Sequence, residues 1–478
     1  MAFPGDFVWG AASSAFQIEG AGNVDGRKDS IWDVLCREDG GTYQKQHAEV
    51  ATDHYHRFAE DVAIMREMGL RAYRFSFSWS RVLPDGTGAV NEAGLAFYDR
   101  LIDALLDAGI EPFPTLYHWD LPYALQLRGG WMNRDIVEWF GAYTAVLADR
   151  YGDRVKRWMT LNEPQIFIGG GPDSHWSVAS FRPMIHERLL ANHHAMLAHS
   201  KADDVLRERC AITPEVGMAI VGVNWYSSSD DAESIDAARG RTLGVPKRDF
   251  WNNALYMEPV HRGEIHPEAI AHFGDELPKT IDADMAAMHR PMDFVGLNIY
   301  HGVPGRLDGN GEWKDDAEAV GRPRTARDWT ITPDSMEWCP RFIGERYGIP
   351  MYITENGLSN IDWVGTDGRV RDTQRIDYTR RYLRALERGI EGGNDVRGYM
   401  HWSILDNFEW ACGFRERFGL VHVDYETLKR TPKDSAWWYA DVIASNGERM
   451  DYNETAITER ANGFAGMNAG MNVAGGVS

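Results

Sequence analysis

Two glutamates stand where chemistry on an acetal bond would need them. Glu163 closes the apolar run of "WMTLNEPQIF" (158–167) and Glu355 closes that of "MYITENGLSN" (351–360), each beside an asparagine. A single Glu in such a place is ordinarily solvent-facing, since the charge is costly to bury unpaired. Two of them in one local setting, far apart in sequence, are what acid–base or nucleophilic cleavage of a glycosidic bond requires.

A scaffold must bring the pair together, and the sequence points to one. In "REMGLRAYRFSFSW" (66–79), "LDAGIEPFPTLYHW" (106–119) and "ERYGIPMYITENG" (345–357), an amphipathic segment ends in Gly and turns at once into a β-branched or aromatic run. Gly at the residue after a helix takes the left-handed conformation that lets the chain reverse directly. Eight such runs are found, at 7–12, 72–79, 111–119, 157–163, 217–225, 293–300, 351–355 and 398–405. Their interiors are nearly continuous apolar stretches, as parallel strands covered on both faces require. Segments of helical period such as 55–68, 92–108 and 374–388 lie between most of them. Strand and helix alternating eight times predict an α/β fold: a single (β/α)8 TIM barrel with elaborated βα loops, spanning residues 1–447.

Catalytic groups of such barrels sit at the C-terminal strand ends. Here those ends carry Arg74, His118 with Trp119, Asn162 with Glu163, Asn298 with Tyr300, Glu355, and Trp402, so polar groups from several strands face one mouth. The long irregular pieces 225–250 and 301–333 read as loops on that barrel, because strands resume after each. The stretch 448–478, rich in Gly, Ala and Asn, is expected to be disordered for want of large apolar groups.

Composition narrows the substrate. The formal charge is −21, a field that repels nucleic acid and anionic membrane and disfavours phosphorylated sugars while leaving neutral ones unaffected. Eighteen Trp suit both a large core and stacking on the apolar face of a sugar ring. No basic leader and no run of about 18 apolar residues is present, so a cytoplasmic, non-membrane protein is expected. Cys36, Cys210, Cys339 and Cys412 lack CxxC spacing, which argues for reduced thiols, with Cys412 a small packed side chain. The "ANHHAMLAHSKADD" segment (191–204) lacks HExxH spacing and reads as a solvated helix face with a packed His, so neither a metal nor another cofactor is expected.

In order along the chain, "WGAASSAFQIEG", "GRKDSIWD", "YRFSFSWSR", "TLYHWDLP", "TLNEP", "GLNIY", "YITENG", "DNFEW" and "RFGLVHVDYETLKRTPKDSAWWY" resemble the signatures of the glycoside hydrolase family 1 β-glucosidases, over residues 3–443. The resemblance implies a retaining exo-β-glycosidase acting on small β-glycosides, with Glu163 as acid/base and Glu355 as nucleophile. Carboxyl groups about 5 to 5.5 Å apart serve that mechanism, and at that spacing they share one proton. The proton is expected on Glu163, because the resemblance sets Arg74 and Tyr300 against Glu355, with Asn298 in support. It further implies that Gln17, His118, Asn162 and Glu409 bond sugar hydroxyls, that Trp402 stacks beneath the ring, that Trp410 adds a hydroxyl contact and that Phe418 lines the wall. Trp119, beside His118, completes the sugar-binding set. Galactosides, fucosides and transfer to an alcohol remain open on the same site, as does homo-oligomer formation. After "TLNEPQIFIG" the chain departs from the family's His-Ala-Pro-Gly loop, which suggests a rebuilt leaving-group side with Trp176 as a stacking residue.

Overall fold

The computed structural model describes residues 3–169, 183–316 and 321–474. Eight strands form its centre: β1 Val8–Ala12, β2 Ala72–Ser76, β3 Glu111–Tyr117, β4 Arg157–Asn162, β5 Glu215–Val221, β6 Phe294–Asn298, β7 Met351–Asn356 and β8 Val396–Trp402. Each pairs in parallel with its sequence neighbours, and β1 pairs with both β2 and β8, which closes the barrel. The main returning helices are α1 His54–Glu67, α2 Glu92–Asp107, α3 Ile136–Tyr151, α4 Ile185–Arg209, α5 Ile281–Met288, α6 Ser335–Tyr347, α7 Thr373–Glu391 and α8 Asp434–Ala444. This is the predicted (β/α)8 barrel. Gly69, Gly109 and Gly348, the residues expected to reverse the chain after α1, α2 and α6, have φ of 75°, 72° and 61°.

The barrel interior is plugged. Ala12, Ala72, Met159, Ala219 and Met400 surround Phe113, Phe294 and Tyr352, whose rings pack edge to face with centroids 5.4 to 5.5 Å apart. Small residues on some strands make room for rings from others, which fills the interior to crystal-like density. The polar side chains of the mouth rest above this floor.

Two expectations about helices differ from the structure. Asn192, His193, His194 and His199 of α4 are buried, not solvated: His193 Nε2 meets Asp284 at 2.8 Å, His194 Nδ1 meets the Trp131 carbonyl at 3.0 Å, and His199 Nδ1 meets Thr160 Oγ1 at 2.6 Å. The helix is covered by α3 on one side and α5 on another, so its polar residues face protein. The stretch after 447, expected to be disordered, contains a further helix, α9, at Glu454–Ala474. Ile457 is buried, Phe464 meets Trp437 of α8 at 5.2 Å between centroids, and Arg460 pairs with Asp441 at 2.7 Å. Three or four apolar groups on one helical face suffice because α8 supplies the complementary surface. Ending the chain at Tyr452 is expected to cost about 3 kcal/mol, read as a lower melting temperature. Glucoside turnover below the transition should be unchanged, because none of these contacts involves a residue of the cleft.

Candidate active site

Strict alternation along the strands would point Asn162 and Glu355 away from the mouth. On β7, Tyr352 lies inside the barrel and Ile353 in the outer core, so Glu355 shares the parity of Ile353. On β4, Met159 lies inside and Asn162 has the opposite parity. The register shifts between Met159 and Asn162 against β5, and between Ile353 and Glu355 against β6, redirect both strand ends into the mouth. An irregularity of this kind re-aims the side chains beyond it, which is how bulges serve active sites. Glu163 then sits at φ 47°, ψ 66°, anchored by its N–H to the Ala219 carbonyl at 2.8 Å.

Around Glu355 the polar groups form a closed set. Arg74, fully buried on β2, donates to Glu355 Oε1 and, at 3.1 Å, to the Thr354 carbonyl. The Tyr300 hydroxyl donates to Glu355 Oε2 at 2.8 Å. Burial is the largest influence on Glu355 and pushes its carboxyl above the ordinary range, while Arg74, Tyr300 and Asn298 pull it back. The sequence reading places the raised proton affinity on Glu163, whereas in the structure burial raises that of Glu355. Burial, followed by the charge on Glu355, holds the Tyr300 phenol well above its usual range, so it remains a donor.

Asn298 Nδ2 donates to Glu163 Oε1 at 2.8 Å and to Asn162 Oδ1 at 3.0 Å. Its own oxygen accepts from Thr354 Oγ1 at 2.7 Å, which fixes the amide's orientation. Asn162 is fixed in the same way: its oxygen also accepts from Arg74 at 2.5 Å, so its Nδ2 faces His118 Nε2 at 3.1 Å. A donor on Nε2 leaves the proton of a neutral imidazole on Nδ1. The ring is neutral because burial, and then the Arg74 charge, hold it well below its ordinary range.

Opposite the carboxylates lies an aromatic wall. Trp402 and Trp410 each stack on His118, at 5.8 and 5.9 Å, and Trp119 meets Trp410 at 4.7 Å. Trp119 lines the cleft with its ring, but its indole N–H is committed to the Asn162 carbonyl at 2.9 Å. Gln17 Nε2 donates to Asn407 Oδ1, the Phe408 carbonyl and Glu409 Oε2 at 3.0, 2.9 and 3.2 Å, while its oxygen accepts from Ser14. Phe418 meets Tyr300 and Trp329 at 6.1 Å each.

One cleft is therefore lined by His118, Trp119, Glu163, Asn298, Tyr300, Glu355, Trp402, Glu409, Trp410 and Phe418. Arg74, Asn162 and Gln17 stand directly behind it. Sequence reasoning missed Trp225, Trp251 and Trp329, which also line the cleft. A tryptophan in an otherwise polar loop was the available signal. Trp176 lies outside the described residues. Cys412 is half-buried, and Arg327 and Arg415 donate to its sulfur at 2.8 and 3.6 Å.

Comparison with known proteins agrees with this geometry. The family model described as glycosyl hydrolase family 1 matches residues 1–448. β-Glucosidase A of Thermotoga maritima is 42% identical over 447 residues, covering 93% of this chain and 98% of the relative. An aryl-phospho-β-D-glucosidase of Bacillus subtilis is 40% identical, covering 94% of this chain and 98% of the relative. The structure of the T. maritima β-glucosidase in complex with glucoimidazole superposes with a TM-score of 0.85 at 41% identity, over 93% of this chain and 99% of that one. With its motifs, its closed barrel and the two glutamates at its mouth in agreement, the chain belongs to glycosyl hydrolase family 1.

Proposed function

We propose that the protein is a retaining exo-β-glucosidase that removes terminal β-D-glucosyl residues from small glycosides by double displacement. The observation that carries this reading is the pair of glutamates lining one cleft, of which Glu355 holds the buried Arg74 cation and Glu163 accepts from the Asn298 carboxamide. Asn162 Oδ1 accepts from both Asn298 and Arg74, so one short hydrogen-bonded set joins the two carboxylates, which supports the short spacing of retaining enzymes, about 5 to 5.5 Å, over the roughly 6.5 to 9.5 Å of inverting ones. The charge of Arg74 keeps the negative form on Glu355, and the proton of the pair resides on Glu163.

Glu355 attacks the anomeric carbon as the bond to the leaving oxygen breaks, and the Glu163 proton moves to that oxygen. The ester formed on Glu355 carries no charge, so Glu163 is left ionised and takes a proton from the water that releases the sugar. Asn162 and the Nδ1–H of His118 face sugar hydroxyls, and a hydrogen bond to the 2-hydroxyl strengthens as positive charge grows on the ring. Trp402 offers an apolar face to the pyranose. Among the described residues no helix is long and apolar enough to cross a membrane. The free thiols of Cys36, Cys210, Cys339 and Cys412 support a reducing, cytoplasmic setting.

A relative that acts on phosphorylated glucosides raises the alternative of an anionic substrate. The acidic Glu409 beside Gln17, together with the net charge of −21, favours neutral sugars. Proton NMR of an aryl β-glucoside with the enzyme tests the reading directly. β-Glucose should be the first free sugar, with the α-anomer appearing only through mutarotation; α-glucose first would mean inversion. The pH profile gives a second check. Activity needs ionised Glu355, so the acid limb of kcat/KM should lie above the ordinary carboxylate range. Arg74 lowers the Glu355 pKa, so Arg74→Met should move that limb to higher pH; a limb that stays in place would separate Arg74 from the nucleophile's charge.

A further inference from the structure

Below the Gln17–Glu409 side of the cleft is a buried ionic cluster that the reaction itself does not use. Lys433, fully buried, places Nζ 2.7 Å from Asp406 Oδ1 and 2.6 Å from Asp362 Oδ2. Asp362 accepts a second cation, Arg375, at 2.7 Å, and Asp406 accepts Arg417 at 2.6 Å through its other oxygen. Such a cluster is weak evidence for stability, because desolvating the charges offsets most of their attraction. Its position in the fold is more informative.

Asp406 is the hub of the loop that leaves β8. Its Oδ1 also accepts the Gly419 N–H at 3.0 Å, and its own N–H donates to the Val421 carbonyl at 2.9 Å. The two chain segments approach so closely at this point that a Cβ on Gly419 would lie 2.0 Å from the Asp406 nitrogen. The next residue, Asn407, accepts from Gln17, and Gln17 in turn donates to Glu409. A continuous line of bonds runs from Lys433 through Asp406 to Asn407, Gln17 and Glu409. Phe418, on the cleft wall, directly precedes Gly419.

We propose that Lys433 is a positioning residue for sugar recognition: resting on the glucosidase reading above, it fixes Asp406 and so holds Glu409 and Gln17 at the spacing that matches the sugar's hydroxyls. Lys is suited to this place because its ammonium is a point donor that can serve two carboxylates on different segments, whereas the planar fork of Arg demands more room. The carboxylates are brought together by a cation that never touches substrate.

The test compares an aryl β-glucoside with its monodeoxy analogues on the unsubstituted enzyme and on Lys433→Met. Loss of positioning should lower kcat/KM on the parent glucoside about 10- to 100-fold, mainly through KM, as small displacements of binding groups do. The analogue lacking the hydroxyl that Glu409 and Gln17 hold should fall much less, and Lys433→Met should add little in a Glu409→Gln background. Equal losses on every analogue, or additive losses in the cycle, would overturn the proposal. Should Lys433→Met fail to fold, Lys433→Gln carries the same comparison, since its neutral amide removes the charge that Asp362 and Asp406 both hold while keeping a donor. Crystal structures of these variants supply a readout independent of turnover. Glu409 and Gln17 displaced relative to Glu355 support the proposal, and both unmoved refute it. If the unsubstituted enzyme leaves glucosides intact, the functional reading fails while the crystal structures still decide the positioning role.

Discussion

Glu355→Gly is expected to reduce turnover of aryl β-glucosides by at least about 10⁴-fold, and sodium azide should restore it with α-glucosyl azide as the product. The geometry explains both halves. Removing the side chain takes away the atom that would bond the anomeric carbon and leaves space beside the Arg74 guanidinium, which otherwise donates to Glu355. A small anion is attracted to that buried cation and attacks from the face that the carboxylate used. One inversion then occurs instead of two, hence the α product. Leaving Arg74 without its carboxylate costs about 3 to 5 kcal/mol, softened by its bonds to Asn162 and the Thr354 carbonyl. Circular dichroism should confirm a folded barrel before activity is judged. A β-azide, or no azide adduct with folded protein, would remove Glu355 from the nucleophile's role.

The second large effect is selective. Glu163→Gln keeps an oxygen for Asn298, so the amide should settle without rearranging the cleft. What it loses is the proton. Departure of an alkoxide or a second sugar should slow by about 10² to 10⁴-fold, the usual contribution of a positioned acid. A dinitrophenolate leaves without help, and formation of the glycosyl ester from it should proceed at close to the normal rate. The slow step then becomes hydrolysis of that ester, so a burst of dinitrophenolate should precede a slow steady state. Equal losses on good and poor leaving groups would contradict the assignment of Glu163 as acid/base.

Much of this was legible in the sequence for identifiable physical reasons. Apolar runs on both sides of Gly69, Gly109 and Gly348 mark strands covered on both faces and helices that stop on a left-handed residue, so all eight strands could be placed. Arg74, His118, Asn162, Glu163, Asn298, Tyr300, Glu355 and Trp402 could be named together because strand ends are where a barrel keeps its polar groups, whereas Gln17, Glu409, Trp410 and Phe418 came only with the family resemblance. Three things could not be read. The register shifts that turn Asn162 and Glu355 inward depend on pairing with neighbouring strands, which no single segment encodes. The docking of α9 depends on Trp437 presenting a ring to Phe464, a contact between segments of which one alone looks too poor in apolar groups to order. The raised proton affinity of Glu355 depends on how dry the finished cleft is, a property of the assembled mouth.

The inward turn at β4 and β7 also bears on how such a site can be lost or acquired. A substitution that restored even pairing at unchanged chain length would carry Asn162 and Glu355 to the outer face that Ile353 occupies, against the helices. The sheet would gain regular hydrogen bonds and the barrel would lose its chemistry. Activity in this scaffold therefore rests on tolerated irregularities in strand pairing. A one-residue slip is the shortest mutational path between an enzyme and an inert barrel of nearly the same sequence.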